Sequence, residues 1–210
     1  MTFVPVSPAS QEAQPAESVV AGFEPFAGRH RNRSWLAIER LPELAGVRRV
    51  RLPVDFVALP DRVAEILEVR PRVLLLVGES DRRQVSVEQV ALNVVDSERP
   101  DNAGRVARAE AVEEGGLLAL PAAWDAHQVV AELRAAGIAA KVSFHAGTYA
   151  CNLALYRALY QGLASDDGQE TRVGFLHVPR YPWPVGPRLS VLARAIEVAL
   201  SALVGRRPPG

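Results

Sequence analysis

The feature that most constrains the fold is an alternation between short apolar strands and amphipathic helices. The clearest strand is the run from Val73 to Val77, in which every residue is aliphatic. Such an uninterrupted run is typical of a strand that is buried on both faces of a parallel sheet. Because strands and helices take turns along the chain, we predict an α/β fold: a three-layer sandwich with a mostly parallel central sheet and helices on both faces.

The predicted elements cover most of the chain. Strands are predicted at residues 18–21, 48–54, 72–77, 85–94, 140–144 and 172–176. Helices are predicted from about residue 34 and at residues 59–69, 124–136, 150–163 and 189–204. Residues 1–17 carry three prolines and lack the positive start and apolar stretch of a signal peptide. We therefore predict a disordered or loosely attached extension at 1–17, a single domain at 18–205 and a frayed C-terminus at 206–210.

The composition excludes several classes of function. The chain has 24 basic and 24 acidic residues, whereas nucleic-acid-binding proteins usually carry a basic excess. The longest aliphatic run is far shorter than the ~20 residues that span a bilayer. A single cysteine excludes an internal disulfide and a cysteine-rich zinc site, and it suits a reducing cytoplasm. No histidine pair has a ligand spacing such as HExxH, so we expect no metal. From the charge balance and the short aliphatic runs, we expect no nucleic-acid partner and no membrane partner.

Four segments with reactive side chains directly follow predicted strands, at residues 22–28, 78–83, 145–151 and 177–181. In open α/β sheets, ligands bind outside the carboxyl ends of the strands. The four segments are therefore predicted to form a site at one edge of the sheet. Within the first segment, Phe23 and Phe26 can line a small apolar pocket or cap the core, and the sequence leaves both possibilities open.

Cys151 lies where a predicted strand turns into a predicted helix. The unpaired N–H groups and the dipole at a helix start favour an anion. A thiol at this position is expected to have its thiolate stabilised, and the thiolate is the nucleophilic form. We therefore predict a nucleophilic cysteine, with a small buried side chain that has no chemical role as the alternative.

A thiol nucleophile requires a neighbouring base, for which histidine is the usual choice. His30 lies in a basic loop and His127 on a predicted helix, and both are expected to face solvent. His145 and His177 each end a predicted strand. We expect these two strands to be parallel neighbours whose carboxyl ends lie side by side, so that both imidazoles are within reach of the thiol. Position alone does not choose between them.

A carboxylate that orients the imidazole would complete such a site. Glu88 is a candidate because it lies in a strand that is otherwise rich in β-branched residues. The alternative for Glu88 is an ordinary exposed strand position. Four other carboxylates compete for the role and leave the choice open: Glu24, Glu79, Asp81 and Asp96.

Five short segments follow one another along the chain. They are GFEPFAG at 22–28 with Asn32, EQVALN at 88–93, PDNAG at 100–104, AGTYACN at 146–152 and FLHVP at 175–179. In this order they resemble the signatures GF-x-PF-GG…N, ER-x-A-x-N, PDN-x-G, AG-x-[YF]-x-CN and F-x-H-x-P of the pyroglutamyl peptidase I family, also called pyrrolidone-carboxylate peptidases. The resemblance covers about residues 19–200.

The resemblance implies an activity and roles for particular residues. It implies a nucleophile, a base that later acts as an acid, and a carboxylate that orients the base: Cys151, His177 and Glu88. It also implies a wall around a five-membered lactam ring, formed by Phe23, Phe26 and Tyr149. The implied reaction removes an N-terminal pyroglutamyl (5-oxoprolyl) group from peptides through a thioacyl-enzyme. It uses no cofactor, and the enzyme is expected to be a cytoplasmic homo-oligomer, either a dimer or a tetramer.

The segments that would frame the substrate depart from the family pattern. Glu79 stands where the family has a glutamine, and Glu98 stands at the usual arginine position, with Arg99 one place later. Asn32, Glu79 and Arg99 complete the set of predicted substrate-binding residues. An ionised carboxylate only accepts hydrogen bonds, so Glu79 would repel a lactam carbonyl that it faced, unless it were protonated. If backbone groups frame the substrate instead, this replacement changes little.

The departures leave two alternative functions open. One is a related thiol amidohydrolase that acts on another small acyl or lactam group. The other is a non-catalytic lactam-binding protein on the same fold. Two further replacements, Ala27 for a glycine and Arg33 for a proline, lie in and beside the first segment. Three adjacent charged residues at 81–83 predict a solvated loop next to the site.

Overall fold

A six-stranded sheet lies at the centre of the chain, and two small sheets of two strands each accompany it. The computed structural model describes residues 18–122, 124–163 and 171–205. The predictions of an extension at 1–17 and a frayed C-terminus at 206–210 therefore lie outside the described residues.

The strands and helices alternate along most of the chain. The strands are β1 (Ser18–Phe23), β2 (Val47–Leu52), β3 (Val73–Ser80), β4 (Val85–Glu88), β5 (Val90–Leu92), β6 (Val95–Ser97), β7 (Ala107–Glu110), β8 (Ala119–Pro121), β9 (Ala140–Ser143) and β10 (Arg172–Pro179). The helices are α1 (Arg33–Glu39), α2 (Ala58–Glu68), α3 (Ala126–Ala135), α4 (Ala150–Leu163) and α5 (Leu189–Val204).

The central sheet has the strand order β2-β1-β3-β10-β4-β9. Its first four strands are parallel to one another. β4 pairs antiparallel with β10, and β9 pairs in parallel with β4, so the last two strands run in the opposite direction. The small sheets join β5 to β8 and β6 to β7, both antiparallel. The predicted α/β fold with a mostly parallel central sheet is confirmed.

Two apolar clusters cover the opposite faces of the central sheet. One contains Val73, Leu75 and Val77 of β3 together with α1, α3 and α5. The other contains Leu74 and Leu76 together with α2 and α4. Side chains alternate between the two faces of a strand, so the aliphatic run is buried on both sides, as predicted. Each such side chain contributes about 1.5–3 kcal/mol when it is fully buried.

The segment predicted as one strand at 85–94 is instead two short strands, β4 and β5, in different sheets. Gln89 separates them, because its backbone N–H donates to the carbonyl of Ser143 and its carbonyl accepts from the N–H of Ala122. The strands β6, β7 and β8, with three, four and three residues, were not predicted. Strands this short carry too little alternation to be recognised from sequence, since the pattern needs about four to eight residues.

The fold brings the start of α4 to the edge where β3 and β10 end. The register pairs Gly78 with His177 and Ser80 with Pro179, so these strands finish side by side. The side chain of Cys151, in the first turn of α4, reaches the backbone of Gly78. This juxtaposition places a thiol and an imidazole at the same edge of the sheet.

Candidate active site

A cavity of about 600 Å³ opens at this edge, with walls from all four segments predicted to form a site. Eight of the nine predicted site residues line it: Cys151, His177, Phe23, Phe26, Asn32, Glu79, Tyr149 and Arg99. The ninth, Glu88, lies behind the wall and is fully buried. The fold therefore gathers residues from four separate parts of the chain into one place.

The thiol of Cys151 rests on a glycine of the central sheet. A Cβ added to Gly78 would lie 2.6 Å from the Sγ of Cys151 and 2.8 Å from the Cζ of Phe175. Only glycine therefore lets α4 place its second residue against β3. Because Gly78 is paired with His177, the thiol lies over the pair of strands that carries the imidazole.

His177 and Glu88 are in contact across the antiparallel strands β10 and β4. The Nδ1 of His177 lies 2.8 Å from the Oε1 of Glu88. The register pairs His177 with Ser86, which makes Glu88 its diagonal neighbour on the same face of the sheet. An ionised carboxylate only accepts, so Nδ1 carries the hydrogen and Nε2 is left free to accept a proton.

The structure separates His177 from the other histidines. The expectation that His145 and His177 end parallel neighbouring strands is wrong, because β9 is two strands away from β10 and runs the opposite way. His145 is exposed, and its Nδ1 accepts from the backbone N–H of Gly147 at 3.2 Å. His30 and His127 are exposed, as predicted.

The competing carboxylates have partners other than histidine. These are Val54 and Asn102 for Glu24, Arg29 and Arg33 for Glu79, Arg180 for Asp81, and Ala109 for Asp96. Among the described residues, Glu88 is thus the carboxylate that contacts an imidazole. The alternative that Glu88 occupies an exposed strand position is wrong, since its side chain is 0% exposed.

Burial raises the pKa of the Cys151 thiol well above its ordinary value, and the negative charges of Glu88 and Glu79 raise it further. The charge of Arg82 acts in the opposite direction. Loss of hydration therefore acts against the thiolate that was expected at the helix start. A thiol that is neutral at rest can act as a nucleophile only if a base takes its proton.

Burial alone would raise the pKa of Glu88, yet this pKa lies below its ordinary value. The hydrogen bond and the charge of His177 lower it most, with contributions from Ser143 and Arg82. Glu88 therefore remains ionised at neutral pH. An ionised carboxylate at Nδ1 stabilises the imidazolium that forms when His177 accepts a proton.

Aromatic rings form one wall of the cavity. The rings of Phe26 and Tyr149 lie 5.8 Å apart, and Phe56 packs edge-on against Tyr149 at 5.1 Å. The hydroxyl of Tyr149 donates to the carbonyl of Pro100 at 2.9 Å. Phe23 is almost completely buried, so it belongs to the core and lines the cavity at the same time. Phe56 was not among the predicted residues, because it belongs to none of the five segments.

Asn32 lines the cavity, but its side chain caps α1. Its Oδ1 accepts from the backbone N–H of Ser34 at 3.0 Å, and its amide donates to the carbonyl of Glu24 at 3.0 Å. Asparagine is a favoured residue at this position because it satisfies a free N–H of the first turn. Asn32 therefore shapes the site by fixing the loop at 22–28 against the start of the helix.

Glu79 is not free to face a substrate. One carboxylate oxygen accepts from the guanidinium of Arg29, and the other accepts from the backbone N–H of Arg33 at 2.7 Å. Arg29 in turn lies over the ring of Phe26, 4.3 Å from its centre. The negative charge that replaces an amide at this position is thus paired within the protein.

Arg33 fastens the segment that follows β10. Its guanidinium donates to the carbonyls of Pro179, Tyr181 and Pro187. A proline at this position has no side-chain donor. The replacement of the family's proline therefore ties the loop after His177 to the start of α1.

Two charged residues lie at the mouth of the cavity, Glu98 and Arg99, and both are exposed. The backbone N–H of Arg99 donates to the Oγ of Ser97 at 3.1 Å. Although Glu98 occupies the family's arginine position, Arg99 lies at the cavity beside it.

Arg82 lines the cavity and was not among the predicted site residues. Its guanidinium donates to the Oε1 of Glu88 and, at 2.9 Å, to the carbonyl of His145. Asp81 and Arg83 are exposed, as predicted for a solvated loop, but Arg82 turns inward. The only signal in the sequence is its position in the segment at 78–83.

Among residues 18–122, 124–163 and 171–205, no cluster of three or more His, Cys, Asp or Glu side chains is arranged to hold a metal ion. None of the helices in the described part of the chain combines the length and the apolar character needed to cross a membrane.

Comparison with known proteins points to one family. A family profile described as pyroglutamyl peptidase matches residues 17–201. The pyrrolidone-carboxylate peptidase of Thermococcus onnurineus is 41% identical over 166 residues, which is 77% of this chain and 82% of that protein. The pyrrolidone-carboxylate peptidase of Chromobacterium violaceum is 39% identical over 201 residues, which is 90% of this chain and 92% of that protein.

Solved structures give the same result. The pyrrolidone carboxyl peptidase of Thermus thermophilus superposes with a TM-score of 0.79 at 37% identity, over 88% of this chain and 98% of that one. The enzyme of the same name from Thermococcus litoralis superposes with a TM-score of 0.83 at 25% identity, over 93% of this chain and 99% of that one.

Proposed function

The chain belongs to the pyroglutamyl peptidase family, and from that premise we propose that Cys151, His177 and Glu88 carry out the family's reaction in this protein. The protein is a cysteine-type hydrolase that removes N-terminal pyroglutamyl residues from peptides. One observation supports the residue assignment above all. The Nδ1 of His177 lies 2.8 Å from the Oε1 of Glu88. His177 is also paired with Gly78, the residue against which the Cys151 thiol packs.

In the first half of the proposed reaction, Nε2 of His177 takes the thiol proton as the sulfur of Cys151 attacks the pyroglutamyl carbonyl. Glu88 stabilises the imidazolium that results. The first N–H groups of α4 have no partner within the helix, and they donate to the oxyanion. The imidazolium then protonates the leaving amine, the peptide C–N bond breaks, and a thioacyl-enzyme remains.

In the second half, water hydrolyses the thioester. His177 takes a proton from the water as its oxygen attacks the carbonyl carbon, and the C–S bond then breaks. The proton on His177 returns to the sulfur, and the product leaves as pyroglutamic acid, which loses its carboxyl proton to solvent. Cys151, His177 and one water molecule account for the other proton transfers, and Glu88 stays ionised throughout.

We propose that the lactam ring packs against the aromatic wall formed by Phe26 and Tyr149, and that Phe23 contributes to the same wall. Glu79 acts on the substrate indirectly, through the position of Arg29, and Asn32 acts through the loop that it caps. Arg99, at the mouth of the cavity, contacts the peptide beyond the bond that is cleaved. These assignments are supported by the residues that line the cavity and by their contacts.

The test is release of a fluorogenic amine from its pyroglutamyl derivative. We expect turnover by the wild type, loss of turnover after thiol alkylation, and a decrease of at least about 1,000-fold in Cys151→Ala, since the nucleophile is removed. The matched substrate is the prolyl derivative, which lacks the lactam carbonyl and should be cleaved poorly. Full turnover by Cys151→Ala would overturn the assignment of the nucleophile.

The same assay separates the alternatives. Preferential cleavage of a different acyl derivative would indicate the related thiol amidohydrolase. Binding of pyroglutamate without any turnover would indicate the lactam-binding protein. Both results would contradict the activity stated above.

We further propose a homo-oligomer, either a dimer or a tetramer, a cytoplasmic location and a single domain over residues 18–205. Leu117 and Leu118 are 66% and 89% exposed, and large apolar side chains with such exposure suit contact with another copy. The single thiol suits a reducing compartment. Light scattering coupled to size-exclusion chromatography tests the oligomer, and the mass of one chain would contradict it.

A further inference from the structure

The loop between β3 and β4 contains an arginine that reaches the buried carboxylate of the proposed catalytic residues. Arg82 and His177 both contact the same atom, the Oε1 of Glu88. The side chain of Arg82 is 24% exposed, whereas that of Glu88 is completely buried. The guanidinium therefore lies between the open cavity and the carboxylate that orients the imidazole.

A second contact fixes the guanidinium in place. Its other terminal nitrogen donates to the carbonyl of His145 at 2.9 Å, in the loop that leads to α4 and Cys151. The backbone N–H of Arg82 lies 3.4 Å from the Oγ of Ser80, at the end of β3. One side chain thus connects the loop after β3, the last residue of β4 and the loop before the nucleophile.

The charge of Arg82 acts on both ends of the proposed catalytic group. It lowers the pKa of the Glu88 carboxyl and the pKa of the Cys151 thiol. The titratable and charged groups that face these two side chains are Glu79 from β3, His177 from β10, Tyr149 beside the nucleophile, and Arg82 itself. Arg82 is paired with Glu88, and its positive charge opposes the effect of the two carboxylates on the thiol.

We propose that Arg82 is a positioning residue for the reaction: its guanidinium, anchored on the His145 carbonyl, holds the Glu88 carboxylate in the orientation that His177 requires and sets the charge around Cys151. This inference rests on the proposed roles of Cys151, His177 and Glu88. It assigns a function to the loop between β3 and β4, which carries three adjacent charged residues at 81–83.

The experiment compares Arg82→Gln with Arg82→Lys and with a matched control, Arg83→Gln. Arg83 is the next residue of the same loop, and it is exposed. Removal of a positive charge raises the proton affinity of every nearby group. We therefore expect the pH profile of kcat/KM for Arg82→Gln to move upward by about 0.5–1 pH unit, with kcat lowered about tenfold.

The two other variants separate charge from geometry. Arg82→Lys keeps the charge but loses the planar fork of donors. Its pH profile should stay in place while kcat falls severalfold. Arg83→Gln removes the same charge from a side chain that points to solvent, where it is screened. Both its profile and its kcat should match the wild type.

A second measurement does not depend on turnover. Since the chain has one cysteine, the rate of iodoacetamide labelling, followed by mass spectrometry, reports the Cys151 thiolate alone. Its dependence on pH should move upward in Arg82→Gln and stay unchanged in Arg83→Gln. If the wild type did not cleave the pyroglutamyl substrate, this measurement would still test the effect of Arg82 on the thiol.

Two outcomes would overturn the proposal. One is an Arg82→Gln variant whose pH profiles and kcat superimpose on those of the wild type. The other is an Arg83→Gln variant that shifts as far as Arg82→Gln, which would indicate a general effect of net charge. Thermal unfolding shows whether Arg82→Gln is folded. If it is not, Arg82→Lys decides, and an unchanged kcat in that variant would overturn the positioning role.

Discussion

At the scale of single residues, the charges around the cavity are arranged in pairs. The pairs are Arg29 with Glu79, Arg82 with Glu88, and Arg180 with Asp81. A buried carboxylate persists as an ion only when a partner compensates its lost hydration. Carboxylates beside the thiol would disfavour the negative charge that forms on an oxyanion. In these pairs, each carboxylate is balanced by an arginine.

Glu79 provides the first residue-scale prediction. Glu79→Gln removes the charge that holds Arg29 against the aromatic wall, so we expect KM for the pyroglutamyl substrate to rise about three- to tenfold, which corresponds to about 0.7–1.4 kcal/mol. The value of kcat should change little, because the proposed catalytic residues are untouched. Steady-state kinetics of the purified variant measures both constants.

The control for this prediction is Glu98→Gln, which removes the same charge from an exposed residue at the mouth of the same cavity. Its KM should change less than twofold. A higher kcat/KM in Glu79→Gln would mean that the carboxylate opposes the lactam carbonyl, contrary to the contacts with Arg29 and Arg33.

At the scale of elements, the site depends on how closely α4 approaches the sheet. The side chain of Asn152, the residue after the nucleophile, accepts from the N–H of Leu92 and donates to the carbonyls of Leu92 and Val94. In β3 of the central sheet, Gly78 leaves room for the sulfur. The hydrogen bonds of Asn152 and the lack of a Cβ at Gly78 together set the position of the first turn of α4.

Gly78→Ala tests this close approach. The added methyl group would meet the Sγ of Cys151 and the ring of Phe175, so the start of α4 must shift. We expect kcat to fall at least tenfold and the free energy of unfolding to fall by about 1–3 kcal/mol. Kinetics and urea denaturation of the same preparation measure both effects.

Gly162→Ala is the matched control, because Gly162 lies in the same helix and a Cβ there has no atom within 4 Å. This variant should keep full activity and gain up to about 1 kcal/mol from helix propensity. An unchanged kcat in Gly78→Ala would show that the reaction does not depend on the close contact between the thiol and Gly78.

At the scale of the whole molecule, a buried ion links stability to pH. Glu88 lies in the interior of the central sheet, and its pKa is below the ordinary value because its partners there, His177 first among them, outweigh the effect of burial. The unfolded chain lacks these partners. As the pH falls, the unfolded state therefore binds a proton at Glu88 before the folded state does, and folding loses free energy.

The stability that Glu88 contributes should be fully present above about pH 5, since an unfolded glutamate has a pKa of about 4.3. It should then be lost as the pH falls through the lower pKa of the folded state. We predict that the difference in unfolding free energy between wild type and Glu88→Gln shrinks as the pH is lowered from 7 to 3. Urea denaturation across this pH range measures the difference.

The exposed carboxylate of Glu43 serves as the control for this linkage. The difference between wild type and Glu43→Gln should be small at every pH. If the difference for Glu88→Gln were constant with pH, the carboxyl of Glu88 would have the same pKa in the folded and unfolded states, which would contradict the buried contacts with His177 and Arg82.

Much of the fold could be predicted from the sequence, because local patterns report burial. The aliphatic run at 73–77 indicated a strand that is covered on both faces, and the helix at 150–163 was predicted with the bounds of α4. The reversal of β4 and β9 could not be predicted, since strand direction depends on pairing between distant segments. The division of the predicted strand at Gln89 could not be predicted for the same reason, because the backbone partners of Gln89 are Ser143 and Ala122, which are far away in the sequence.

For the site, the residue types and short motifs by themselves determined the candidate groups. They indicated a thiol at a helix start, two candidate histidines and five candidate carboxylates, and the resemblance to a family favoured one of each. Only the tertiary structure decided which groups touch. It places Glu88 against His177, pairs Glu79 with Arg29, and turns Arg82 inward. A pattern along the chain reports which side chains are apolar or reactive. Contacts and pKa shifts arise from burial and from partners that only folding brings together.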